Sequence, residues 1–285
     1  MPRRCALALL PLVLAGCASS GTRLEDRTTA PLLPAAAIEL VVNLDYPPGN
    51  IAVSRTGRIF FSYHPTGAPP VKVAELVGGH AVPYPDAATQ ARFKSVLAVR
   101  IDRQDRLWLL DFASYGWGQP RLVAIDLATD MIVREYDFPA DVAGFLSMVN
   151  DFQVDPAGET IYVAETSPIR QRPALIVVDV THETSRRVLE GHRSLEAMDY
   201  VTRTPGRELK LLGFFPVRVG VDSIALDARG EWLYYGPFTG DRLYRLATGA
   251  LTDRTLAPEA LAARGEHHAP EPVPDRLSLD GDGTA

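Results

Sequence analysis

One phrase recurs along this chain: a short alternating strand, a turn opened by Ser or Asp, then a second strand rich in aromatic and β-branched residues. "NIAVSRTGRIFFSYH" begins at Asn50, "LAVRIDRQDRLWLLD" at Leu97, "NDFQVDPAGETIYVAET" at Asn150, "DSIALDARGEWLYYGPF" at Asp222 and "DRLSLDGDGTA" at Asp275. In four copies the turn residue is Ser54, Asp155, Asp227 or Asp280, followed three positions later by Gly57, Gly158, Gly230 or Gly283. The remaining copy carries Asp102 and Asp105. This spacing suits a tight hairpin, in which the Asp or Ser side chain caps the turn and glycine supplies a positive φ.

The copies return roughly every 50 residues, with one interval near 70, a period that signals a propeller or a solenoid. More strand-like runs follow the hairpins. "RLVAIDL" and "MIVREYDF" follow the second copy, "ALIVVDV" and "SRRVLEG" the third, and "RLYRLAT" the fourth. Four strands per repeat at this period match a propeller blade. Helical periodicity is scarce, and "DAATQARFKSVL" is the best short helix candidate. The fold class expected is therefore all-β, a β-propeller over residues 37–285. Four blades and one further inner hairpin are counted, whereas a six-bladed ring needs roughly 70 to 100 residues more. The expectation is a six-bladed propeller incomplete at its C-terminus, the product of a truncated or frame-disrupted gene and possessed of open edges that favour aggregation. A genuine small ring, or one assembled from two chains, is the alternative. "IELVVNLDYPP" is expected to supply an outer strand that closes the ring on the last blade.

The N-terminus reads as an export signal. "MPRR" gives a positive start, "CALALLPLVLA" a short apolar run, and "LAGC" ends it at Cys17. The run is too short to span a bilayer as a helix. "LAGC" resembles a bacterial lipoprotein signal, with residues 1–17 as leader and Cys17 as the lipidated residue. That pattern implies a membrane partner through the lipid anchor and, with Ala18 in place of Asp, the outer membrane. Residues 18–36, small, polar and Pro-containing, read as a flexible tether. The cysteines are Cys5 and Cys17, so the domain beyond the tether holds neither a disulfide nor a thiol nucleophile. The formal net charge of −6 weighs against nucleic acid as a partner.

"YPPGNIAVSRTGRIFFSYHP" resembles the opening of the major royal jelly/yellow protein family. The ordered set "RLWLLDFA", "QPRLVAIDLAT", "YDFP", "NDFQVD", "ALIVVDV", "GVDSIALD", "WLYYGPFTGDRLYRL" and "VPDRLSLDGDG" extends the resemblance from about Ile38 onward. It implies an exported six-bladed propeller with a ligand channel of the kind that takes small amines in insect relatives. Bacterial members are described as related to dopachrome tautomerase. A more distant resemblance is to the gluconolactonase/senescence-marker-protein propellers, which hold a divalent metal in the channel with an "ND" turn and a "DG" turn. Asn150 matches the former; Asp222 stands at the latter, with Ser223 in place of Gly.

In a propeller the first strand of each blade lies nearest the axis, so Asn150, Asp222 and Asp275, each five residues before its turn Asp, are expected to converge at the channel mouth. Asn150, Asp151 and Asp222 are the candidate ligand-binding residues, with Trp117 of the loop "SYGWGQP" as an aromatic face. Asn150, Asp222 and Asp275, joined by Glu165, form a candidate Ca²⁺ set, because hard oxygen donors suit an ion that takes six to eight of them. Such an ion would polarise a lactone carbonyl or activate water. The plainer reading is that each Asp or Asn caps its own strand or turn. No catalytic residue is identified: the chain has no phosphate loop, dinucleotide fingerprint or G-x-S-x-G elbow. His267 and His268 in "EHHAPEPVP" are expected in a solvated loop, and "EGHRS" lacks the Trp-Asp that would complete a known propeller signature.

Overall fold

Each recurring phrase closes into a hairpin because its turn residue satisfies the backbone. Ser54 Oγ accepts from the Arg58 amide at 3.0 Å. Asp102 Oδ1 accepts from Gln104 and Arg106, Asp155 Oδ1 from Glu159 and Thr160, and Asp227 Oδ1 from Glu231 and Trp232. Gly57, Gly158 and Gly230 take φ of 83°, 72° and 73°, and Asp105 fills the same left-handed place at 60°. The computed structural model describes residues 34–270, except 205 and 212, together with 277 and 279. The expected leader with Cys17, the tether up to residue 33, Asp275 and the Asp280–Gly283 turn lie outside the described residues.

Four four-stranded antiparallel sheets result. Blade 1 comprises β1 (Pro48–Val53), β2 (Ile59–Tyr63), β3 (Val73–Val77) and β4 (His80–Pro83). Blade 2 comprises β5 (Val96–Ile101), β6 (Arg106–Asp111), β7 (Arg121–Asp126) and β8 (Met131–Asp137). Blade 3 comprises β9 (Val149–Val154), β10 (Thr160–Glu165), β11 (Ala174–Asp179) and β12 (Thr184–Val188). The long interval that follows is a crossover carrying two small ribbons, β13 (Arg203–Thr204) with β14 (Arg207–Glu208), and β15 (Lys210–Leu211) with β16 (Phe215–Pro216). Blade 4 then comprises β17 (Val221–Leu226), β18 (Trp232–Pro237), β19 (Arg242–Ala247) and β20 (Glu266–Pro270). Within it, β19 and β20 are separated by the short helices Thr248–Thr252 and Pro258–Ala262.

The period-2 alternation of the middle strands stacks the blades. In β6, Leu107 and Leu109 pack toward blade 1, while Trp108 and Leu110 pack toward blade 3. In β10, Ile161 and Val163 pack toward blade 2, and Tyr162 and Ala164 toward blade 4. Strands buried on both faces need apolar residues at every position, which is why these segments read as continuous hydrophobic runs. Truncating one such side chain, Leu109 for example, removes about 2–5 kcal/mol. The innermost strands meet in sequence about the axis: β1 touches β5, β5 touches β9, and β9 touches β17. The outer face of blade 1, Phe61, Tyr63 and Ala74, is covered by Leu44 and Tyr46. The outer face of blade 4, Ala225, Tyr234 and Leu243, is covered by Leu277 and Leu279. Those two leucines stand where Ile224 and Leu226 stand in the preceding copy, and Ile224 and Leu226 pack against blade 3.

Two expectations are corrected. "IELVVNLDYPP" forms no strand before Pro48; its Leu44 and Tyr46 lie against blade 1 rather than completing the last blade. "EHHAP" is not loop but the edge strand β20, paired with β19 from Arg245↔Glu266 to Arg242↔Pro270. An edge strand tolerates polar side chains and a terminal proline because one side of its backbone needs no partner. The expected helix is present as Ala87–Arg92, with Asp86 accepting from the Ala88 and Thr89 amides.

Adjacent hairpin tips touch, and this generates a test. A Cβ on Gly230 would meet Pro156 Cδ of the neighbouring blade at 2.4 Å, whereas one on Gly57 meets nothing within 4 Å. Gly57→Ala is expected to cost about 1 kcal/mol, the left-handed backbone penalty alone. Gly230→Ala adds an inter-blade clash and should cost about 3 kcal/mol in urea unfolding. Equal losses would show that the tips do not press on one another.

Candidate functional site

The four inner strands break register at one common level. In β5 and β6, Val96 pairs with Asp111 and Ala98 with Leu110, leaving Leu97 extra. In β9 and β10 the extra residue is Asn150, between Val149↔Glu165 and Asp151↔Ala164. In β17 and β18 it is Asp222, between Val221↔Pro237 and Ser223↔Gly236. In β1 and β2 the break spans Gly49 and Asn50. A bulge inserts one unpaired residue and re-aims its side chain. The residue five positions before each turn, read from the sequence as the start of the inner strand, is therefore a bulge residue: Gly49, Leu97, Asn150 and Asp222.

Asn150 Nδ2 donates to Asp222 Oδ1, so two of the expected ligand residues meet across blades 3 and 4. Asp222 is buried. On the other side, an added Cβ on Gly49 would lie 3.3 Å from Leu97 Cδ1, so blades 1 and 2 contribute an apolar contact at this level. Ser62 supports it, accepting from the Asn50 amide at 3.0 Å and donating to the Leu97 carbonyl.

Arg100, three residues beyond Leu97, lies between the inner strands. Its Nη1 donates to Asn50 Oδ1 at 2.9 Å and to its neighbour's Val99 carbonyl at 2.9 Å. Its Nη2 donates to Asp151 Oδ1 at 2.8 Å and Oδ2 at 2.6 Å. The guanidinium carbon also sits 5.9 Å from the Phe152 ring centroid. Asp151, a candidate ligand residue, is thus the counter-ion of Arg100. Gln153 Nε2 extends the lacing, donating to the Ile224 carbonyl at 2.8 Å. Sequence reasoning missed Arg100 and Asn50. The signal was present: three places past the bulge the copies read Ala52, Arg100, Gln153 and Ala225, so a charge stands alone at an axial position.

Glu165 is fully buried at the end of β10, and its Oε2 has no hydrogen-bond partner among the described residues, being held by charge alone. Ser147 Oγ donates to Oε1 at 2.6 Å, and Arg187 Nη1 lies 2.5 Å from Oε2. Arg187 also donates to the Val142 and Arg172 carbonyls and binds Glu190. Trp117 is 71% exposed and packs edge-on against Phe145, with ring centroids 5.4 Å apart. Its loop holds three successive non-glycine residues, Ala113, Ser114 and Tyr115, at φ of 55–59°. Such residues persist only where the surroundings over-determine them; here Asp111 accepts from the Ala113 amide and Ser95 Oγ from that of Ser114. Burial pushes the Tyr115 hydroxyl above its usual range. Trp117 and Glu165 therefore have partners apart from the Asn150–Asp222 pair, and Asp275 lies outside the described residues.

Among the described residues, no group of three or more His, Cys, Asp or Glu side chains is placed to hold a metal ion. Asn150 presents its amide nitrogen to Asp222, and Glu165 is bound to Arg187. The described residues do not fit a calcium cage, which needs six or more oxygens.

The major royal jelly protein family model matches residues 94–269. Major royal jelly protein 6 of Apis mellifera is 29% identical over 181 residues, 57% of this chain and 38% of that protein. Major royal jelly protein 3 of the same bee is 26% identical over 184 residues, 58% of this chain and 32% of that protein. The matches thus span less than half the length of these relatives. Among solved structures, a gluconolactonase from Xanthomonas campestris superposes with a TM-score of 0.52 at 13% identity, covering 85% of this chain and 70% of that one. That likeness shows the propeller fold.

The buried Glu165–Arg187 pair anchors the blade 3 end of this region. Arg187→Met leaves Glu165 without its cation and should lower stability by about 3–5 kcal/mol in urea unfolding. Adding Glu165→Met should restore most of that loss; failure to restore it would mean that Arg187 acts through its carbonyl and Glu190 contacts instead.

Proposed function

The chain belongs to the major royal jelly protein family, and on that premise we propose that it is a propeller that binds a small molecule at the mouth of its axial channel, beside Asn150 and Asp222. The bulge level carries this reading: blades 3 and 4 supply a hydrogen-bonded amide and carboxylate there, while blades 1 and 2 supply Gly49 and Leu97. A mouth polar on one side and apolar on the other suits a compact amphipathic ligand fixed by a few polar groups. The Asp222 carboxylate favours an amine cation carrying an apolar ring, while Asp151 is already paired with Arg100. That agrees with the small amines implied by the family resemblance.

A second reading, a Ca²⁺-dependent lactone hydrolase, rests on the gluconolactonase resemblance alone, in which Asn150 and Asp222 stand at the two metal-holding turns. Among the described residues the donors fall short of a calcium cage. The four blades are read as part of a six-bladed ring, a reading supported by Leu277 and Leu279, which cover blade 4 as the next inner strand would. "LAGC" supports export and lipidation at Cys17, with residues 18–36 tethering the propeller to the outer membrane.

Titration of the full chain with tyramine by calorimetry should give single-site saturation, weakened at least about tenfold by Asn150→Ala and by Asp222→Ala. Absence of saturation, or variants that bind as the parent does, would defeat the binding reading. Hydrolysis of glucono-δ-lactone that requires Ca²⁺ and is lost in the same variants would establish the second reading instead. Cys17→Ser should move the protein from the membrane pellet to the soluble fraction of the expressing bacterium; retention in the pellet would refute the lipid anchor.

A further inference from the structure

Two motifs unused by the axial site meet at the rim between blades 3 and 4. "GHRS", residues 191–194, follows β12, and "EHH", residues 266–268, opens β20. His192, Arg193 and Ser194 of the first and His267 of the second, with Arg242 and Tyr244 of β19, line a cleft of about 320 Å³. Its polar lining is His192, Arg193, Ser194, Arg242, Tyr244 and His267, with no carboxylate among the lining residues. In a chain of net charge −6, two arginines and two histidines line one cleft with no carboxylate in its wall.

Part of this cleft is held in place by buried bonds. Ser194 is 1% exposed. Its amide donates to His192 Nδ1 at 3.3 Å, and its Oγ lies 2.7 Å from the same nitrogen. A ring nitrogen that accepts from a backbone N–H carries no proton, so the neutral His192 holds its proton on Nε2 as a donor. Ser194 Oγ therefore donates to His192 and accepts from the Tyr235 hydroxyl at 3.2 Å. Tyr244 stacks on Tyr235 with centroids 5.9 Å apart, and the His267 ring stands edge-on to Tyr244 at 6.1 Å. Burial, helped by Arg193, holds His192 below the usual imidazole range. The nearby carboxylates sit outside the lining. Asp241 lies 3.4 Å from Arg242, Glu266 binds Arg245, and Glu196 acts on His192 only at longer range. Arg193 forms no ion pair among the described residues.

We propose that this cleft binds a small tetrahedral oxyanion, the phosphate or sulfate group of a compact ligand. Two guanidiniums, an imidazole N–H and a phenolic hydroxyl supply donors, and charge-assisted bonds from arginine to such oxygens are among the strongest available. The site lies at the blade rim and stands independently of the axial reading.

The test is calorimetric titration of the full chain with inorganic phosphate and with sulfate. Either anion should saturate one site, weakened at least about tenfold by Arg193→Gln and by Arg242→Gln. Arg134→Gln on blade 2 should bind as the parent does. Circular dichroism checks that each variant is folded. No saturation by either anion would overturn the proposal. So would equal weakening by Arg134→Gln, which would reduce the effect to general surface charge. Sedimentation with vesicles of phosphatidylcholine containing phosphatidic acid separates the sources. Pelleting lost in the two arginine variants supports the site with a lipid headgroup, and anion binding without pelleting supports it with a soluble ligand.

Discussion

A propeller brings its innermost strands to one axis, and at that axis the polar backbone edges and short side chains leave little apolar surface to bury. In this chain one guanidinium answers that constraint. Arg100 of blade 2 reaches Asn50 of blade 1 and Asp151 of blade 3, and it also takes the Val99 carbonyl. A charge this poorly exposed is tolerated only when paired and hydrogen-bonded. Arg100 and Asp151 each resolve the other's cost, and doing so sets three inner strands at a fixed distance and register. Gln153 carries the lacing on to blade 4 through the Ile224 carbonyl.

The candidate site inherits its geometry from this lacing. With β1, β5, β9 and β17 held in phase, their bulges fall at one level, and the extra residue of each strand faces the same region. Asn150 and Asp222 then meet because they occupy equivalent positions on neighbouring blades, not because they are close in sequence. The apolar half, Gly49 and Leu97, arises from the same rule applied to blades 1 and 2. The site is thus built on sheet, with its side chains placed by backbone irregularity rather than by long loops. That fixes these side chains in place before any ligand arrives.

Much of this was legible in the chain. The capped turns at Ser54, Asp102, Asp155 and Asp227 gave the hairpins, because a tight turn imposes a local chemical requirement that survives in any single sequence. Their spacing gave four blades, and the five-residue offset picked out Asn150 and Asp222. What escaped notice was decided by tertiary position. Arg100 belongs to no motif, and its role depends on two neighbours about 50 residues away on either side. β20 was hidden because an edge strand needs no apolar alternation, so "EHHAP" looks like loop. "IELVVNLDYPP" looks like a strand because an apolar stretch that packs on a sheet face, as Leu44 and Tyr46 do, and one that joins a sheet share the same composition. Trp117, expected as an aromatic face for a ligand, is exposed and packs edge-on against Phe145, apart from the Asn150–Asp222 pair.

The central claim is that Arg100 and Asp151 act as one unit tying the inner strands together. A double-mutant cycle of Arg100→Met, Asp151→Asn and the pair, followed by urea unfolding, measures this directly. A coupling energy of about 1.5 kcal/mol or more between the two positions is predicted. Additive losses, with coupling within about 0.3 kcal/mol of zero, would contradict the account and leave blade packing alone to set the axis.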